Sequence, residues 1–124
     1  MAITHSTAAR DVIVDAVLAL LDVDGPGFVE FQTSGAAEVA TLTFSATAFG
    51  ASSAGTATAN AIAPDTNATG GDVAQFELQD GNGVGVIFGD VTVTGDGGDI
   101  ELSSLNIGPG DTVAITSLTY TAPV

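Results

Sequence analysis

The apolar period of this 124-residue chain changes at Gly25-Pro26-Gly27, and that change limits the possible folds more than any other feature. Before it, Ala9, Val12, Ile13, Ala16, Val17 and Leu20 recur at i, i+3, i+4, i+7, i+8 and i+11. That spacing lines side chains along one side of an α-helix. Asp11, Asp15 and Asp22 are expected on the opposite side, facing water. Ser6 is placed to cap the helix, because its hydroxyl can accept a bond from an unpaired first-turn N–H. Gly25-Pro26-Gly27 then stops it.

After Gly27 the period is 2, which is that of strands. Phe28 to Thr33 reads as a first strand and Glu38 to Phe44 as a second, with Ser34-Gly35-Ala36-Ala37 as the turn between them. Val73 to Gln79 leads into Asp80-Gly81-Asn82-Gly83, a hairpin turn, since Asn and Gly tolerate positive φ. Val84 to Phe88 and Asp90 to Thr94 follow. Gly95-Asp96-Gly97-Gly98-Asp99 forms a second turn before Ile100-Glu101-Leu102, and Gly108-Pro109-Gly110-Asp111 a third before a last strand from Thr112 to Tyr120. The stretch from Ser45 to Gly71 holds almost no large side chain apart from Phe49 and Ile62. It reads as an extended arm, as a surface facing another subunit, or as a strand of Ala and Thr hidden around Thr56 to Ile62. The expected fold is mainly β: an antiparallel β-sandwich or jelly-roll-like barrel with one N-terminal α-helix. It forms a single domain over residues 1–124, with an arm and helix in 1–24 and the sandwich in 27–124. The apolar stripe of the helix covers a sheet face or docks on a neighbouring subunit.

Charge narrows the partners. Arg10 is the one Lys or Arg, against 15 Asp and Glu, for a formal net charge of −14. Such a surface repels phosphate, so neither nucleic acid nor an anionic membrane is an expected partner. Only 13% of residues are charged while 45% are hydrophobic, and mean hydropathy is +0.44. The surface must therefore be largely Ala, Thr, Ser, Gly and apolar side chains, which suits burial between the subunits of a homo-oligomer. The apolar stretch Val12 to Leu21 is broken by Asp15 and too short to span a bilayer. With no clustered basic segment at the N-terminus, the expected product is soluble and made in a cytoplasm.

The residue inventory offers little bond-making chemistry. There is no Cys and no Lys, and His5 is the one histidine. Thiol and Schiff-base catalysis lack their nucleophiles, and a Ser-His-Asp set would have to rest on His5. Paired carboxylates could serve glycoside hydrolysis, yet the chain has no Trp and a single Tyr to form a sugar platform. Asp80-Gly81-Asn82-Gly83 begins like an EF-hand loop, but Val84 and Val91 occupy positions that need oxygen ligands. An irregular calcium site would have to combine Asp72, Asp96 or Asp99, residues that also serve as turn formers. No catalytic residue, metal ligand or cofactor is expected. Arg10, at the positive end of the helix dipole, is expected either to pair with an acid of its own chain or of a neighbour, or to stay solvated near a frayed helix end.

Several segments carry a resemblance. The opening Met1-Ala2-Ile3-Thr4-His5-Ser6-Thr7-Ala8-Ala9-Arg10, the runs Ala48-Phe49-Gly50-Ala51 and Ala57-Thr58-Ala59-Asn60-Ala61-Ile62-Ala63, and the ending Ser117-Leu118-Thr119-Tyr120-Thr121-Ala122-Pro123 resemble small virion proteins of tailed bacteriophages. The kind they are most similar to is the head decoration, or cement, protein. That resemblance implies a structural protein on the outer capsid surface, bound to the major capsid protein as a trimer. His5, Ser6, Arg10, Phe49 and Ile62 are the expected interface residues. A tail or head–tail connector component is the nearest alternative. A carbohydrate- or calcium-binding β-sandwich is the alternative from a different class.

Overall fold

The computed structural model describes residues 3–122. It is mainly β, 37% strand against 13% helix, with one N-terminal helix and a curled multi-strand sheet. Helix α1 runs from Thr7 to Ala19, and Ser6 Oγ accepts a hydrogen bond from the Ala9 N–H at 3.2 Å, as an N-cap should. A 3-10 turn over Leu20–Asp22 tightens its end.

The helix is rotated relative to the expectation from its sequence. Val14, Leu18 and Leu21 are buried, a second apolar ridge at i, i+4 and i+7. The predicted stripe is turned outward: Val12 is 68% exposed and Leu20 51%, Ala16 is exposed, and Ile13 and Val17 are only half-buried. Asp11 lies three residues before Val14, so it faces the fold and not the solvent.

Nine strands follow among the described residues: β1 Phe28–Gln32, β2 Glu38–Thr43, β3 Thr56–Thr58, β4 Gly71–Asp72, β5 Gln75–Gln79, β6 Gly85–Val93, β7 Ile100–Leu102, β8 Asn106–Ile107 and β9 Thr119–Thr121. The main sheet has five strands in the order β2-β1-β5-β6-β7, with β3-β9 and β4-β8 as two small ladders beside it. In β1, Val29 and Phe31 point into the core while Phe28 and Glu30 point out, the alternation of a half-buried strand. The same alternation places Phe76 and Leu78 of β5 inward. One apolar cluster joins these residues to Val14, Leu18 and Leu21 of the helical segment and to Ala57, Val113 and Ala122.

The β5–β6 hairpin forms where the turn chemistry requires it. Asp80 Oδ1 accepts from the Asn82 and Val84 N–H groups at 2.9 and 3.0 Å, and Gly83 takes φ +79°. The two strands read on either side of Gly89 are one strand, β6. A Cβ on Gly89 would stand 2.5 Å from the Phe76 ring, so this glycine makes room for a cross-strand aromatic.

The sheet is mixed, where the sequence suggested an antiparallel one. β7 runs parallel to β6, with Val91 opposite Ile100 and Val93 opposite Leu102. Parallel strands normally need a crossover of a dozen or more residues. Here residues 94–99 suffice, because the paired segments are three residues long and the chain retraces only about 7 Å. The loop is pinned by the Gly98 N–H on Thr92 Oγ1 at 2.9 Å. The last expected strand is also shorter: only Thr119–Thr121 pairs, with β3, while Val113 makes an isolated bridge to Asp65.

Candidate functional site

Three acids of the helical segment, two in α1 and one in the 3-10 turn, hold the Ser45–Gly71 stretch in place. Asp22 Oδ1 accepts from the Ala48 N–H at 2.8 Å, Asp15 Oδ1 from the Ser52 N–H at 3.1 Å, and Asp11 Oδ1 from the Gly55 N–H at 2.7 Å. A loop of mostly small residues has few large side chains to anchor it and few ladder partners for its backbone donors. Carboxylates one and then two helical turns apart supply the missing acceptors. Asp11 and Asp22 are accordingly half-buried against this stretch, while Asp15 reaches it from the exposed side. The hidden strand of Ala and Thr exists, as β3 within this stretch.

Asp11→Ala leaves the Gly55 N–H without its acceptor in a buried position and is expected to cost about 1–3 kcal/mol in chemical denaturation. Asp15→Ala, whose bond is exposed, should cost less than about 1 kcal/mol. Equal losses would contradict the anchoring role assigned to Asp11.

Arg10 sits on the same seam. Its Nη2 donates to the Ala122 carbonyl at 3.2 Å, so among the described residues it bonds a backbone oxygen and not the expected acid. A Cβ on Gly55 would lie 2.6 Å from the guanidinium carbon, so the guanidinium lies directly against that glycine. His5 is exposed, and Ser6 is committed to its cap. Phe49 is buried in the chain's own core, its ring 5.7 Å from that of Phe44, and Ile62 is half-buried against the same core. The structure therefore does not gather His5, Ser6, Arg10, Phe49 and Ile62 into one surface.

A polar device that sequence reasoning missed lies on the outer face of the sheet. Glu30 of β1 is directly opposite Glu77 of β5, a like-charge pairing that is unfavourable by itself. Gln32 and Gln79 bridge the two. Gln32 Nε2 donates to Glu30 at 2.8 Å and to Glu77 at 3.2 Å, and Gln79 Nε2 donates to each at 3.1 Å. Both glutamines are buried, at 5% and 7% exposure. The signal was present in the sequence: Glu30-Phe31-Gln32 and Glu77-Leu78-Gln79 share one pattern, and an antiparallel register that pairs the glutamates closes the ring.

The candidate calcium ligands are dispersed. Asp72 accepts from Asn106 Nδ2 at 2.8 Å across β4–β8, and Asp99 is engaged with Asp90. The Asp99 N–H donates to Asp90 Oδ1 at 3.0 Å. That backbone bond, with a contribution from the Asp99 side chain, holds the Asp90 carboxyl below its ordinary value. Among the described residues no three His, Cys, Asp or Glu side chains are gathered as metal ligands. No described helix is long and apolar enough to cross a membrane.

What the surface does present is an apolar ridge. Val12, Ala16, Ala19, Leu20 and Val23 follow one another along the exposed side of the helical segment, while the other large exposed apolar side chains, Ile3, Val84, Phe88 and Val93, lie outside it. Comparison with protein-family models, with curated proteins and with solved structures finds no match.

Proposed function

We propose that this chain is a structural virion protein, a head decoration protein that binds the outer capsid surface of a tailed bacteriophage as an oligomer and stabilises the shell. The observation that carries the reading is the exposed ridge of Val12, Ala16, Leu20 and Val23. Large apolar side chains aligned at helical spacing form a surface ready to meet a complementary protein face. The small residues between them allow close approach. The resemblance of the terminal segments to phage virion proteins supplies the setting. The net charge of −14 suits an outward-facing position, away from packaged nucleic acid. Stabilisation then follows from linkage, since a protein that binds only the assembled shell shifts the equilibrium towards it.

The test is to mix purified chain with undecorated heads and image the particles. Density is expected at regular positions on the head exterior. The double variant Val12→Glu and Leu20→Glu should fold with a stability change within about 0.5 kcal/mol per site, as for exposed positions, and should lose this density. Density on the tail alone would move the protein to a tail or connector role. Binding to no part of the particle would overturn the virion reading.

A further inference from the structure

The outer edge of β7 faces an unpaired segment of chain across open space. The Thr94 N–H donates to the Leu102 carbonyl at 3.0 Å, and in a parallel ladder alternate residues bond to a given neighbour. The N–H and C=O of Glu101 therefore point away from β6, to the outer edge of the sheet, where no described strand pairs with β7. Across from it runs the segment 114–117. Among the described residues, the main-chain groups of Ala114, Ile115, Thr116 and Ser117 make no hydrogen bonds. Between these two edges lies a groove of about 510 Å³, which continues past Ser103 as a second of about 430 Å³. Two unpaired edges flanking a groove are the arrangement that accepts an added strand through main-chain bonds.

We propose that this groove receives the N-terminal stretch Ile3–His5 of a second copy of the chain as an added β-strand. Charge selects the occupant. The groove is lined by Asp99 and Glu101 and by no cationic side chain. A second β7 docking edge to edge would oppose Glu101 to its own copy, which is unfavourable. Every acid of the chain lies at or beyond Asp11, whereas the first ten residues hold both His5 and Arg10. Ile3, Thr4 and His5 are exposed, acid-free, and outside the helix and every ladder, with Ile3 at 87% exposure. Ile and Thr are residues that strands favour, and Ile3 would meet the half-buried Ile115 and Leu118 in the groove.

The geometry points to a neighbour's stretch and not the chain's own. Arg10 anchors the start of the helix at Ala122, beyond one end of β9. The groove lining reaches Thr119, within β9, yet in the chain's own fold Ile3–His5 stay outside it, with Ile3 at 87% exposure.

This inference rests on the assembly reading only in needing more than one copy; capsid binding plays no part in it. The experiment compares the full chain, a chain lacking residues 1–5, and the variant Ile3→Asp, by light scattering and by hydrogen exchange. The full chain should be oligomeric, with slow exchange at Glu101 and at Ile115 to Ser117. Truncation and Ile3→Asp should each weaken association at least tenfold and release those amides. A synthetic peptide of residues 1–9 should compete with association. An oligomer that survives both changes with these amides exchanging freely would overturn the strand insertion and leave the assembly reading standing. A monomeric full chain would overturn the inference too, whether its amides exchange freely or are protected by its own stretch. Failure to bind heads, with truncation still dissolving the oligomer, would instead remove the virion reading alone.

Discussion

Replacing Phe31 by alanine is expected to lower the stability of this protein by about 3–5 kcal/mol. Phe31 is fully buried in β1, with Ala40 of β2 on one side and Phe76 of β5 on the other. Truncation there removes the burial of a whole ring and leaves a void in the middle of the five-stranded sheet. β1 and β5 are each hydrogen-bonded on both sides, so the sheet cannot close over it. A domain of this size has only about 5–15 kcal/mol in total, so this one change removes a large share. Urea denaturation of the variant checks it, with Phe88→Ala as the control. Phe88 lies on the same sheet but is exposed, and its loss should shift stability by about 0.5 kcal/mol or less. Similar effects at the two positions would mean that the inner and outer faces of the sheet are wrongly assigned.

The second large effect is expected at Gly27→Ala. A Cβ at this position would stand 2.2 Å from the Gln79 carbonyl oxygen and 2.7 Å from that of Leu21. Both obstacles are backbone, so no flexible side chain can swing aside. Either the end of the helical segment or the β1–β5 ladder must shift. A loss of about 3 kcal/mol is expected, at the upper end of ordinary overpacking. Gly35→Ala is the matching control: its nearest neighbour would be Thr33 Oγ1 at 3.8 Å, ordinary contact, and its melting temperature should barely move. If Gly27→Ala proved as mild as Gly35→Ala, the close approach of the helical segment to β5 would be refuted.

These two glycines also illustrate what a sequence conveys. Gly27 and Gly35 both read as turn residues, and chain punctuation is all that local chemistry expresses. That Gly27 additionally sits where two backbones nearly touch depends on Gln79, 52 residues away (79 − 27). The Glu30–Glu77 pair behaves alike. Each strand was legible, but the ring of two glutamates and two glutamines exists only because β1 and β5 pair in one register. None of the expected interface residues points to it, since they lie in the N-terminal segment and the small-residue stretch.

By itself the sequence determined the helix, its Ser6 cap, the change of period at Gly25-Pro26-Gly27, the strands β1, β2, β5, β6 and β7 in outline, and the Asp80–Gly83 hairpin. These are set by neighbours within a few residues, through side-chain spacing, φ preference and capping. Only the tertiary structure decided which helix ridge is buried, and that β7 runs parallel. Two apolar ridges competed on the helix. The ridge that is buried, Val14, Leu18 and Leu21, joins the core, and the same rotation puts carboxylates where the Ala48, Ser52 and Gly55 N–H groups need acceptors. Backbone donors of a loop must be satisfied by whatever the fold brings near, and no local pattern records what that will be.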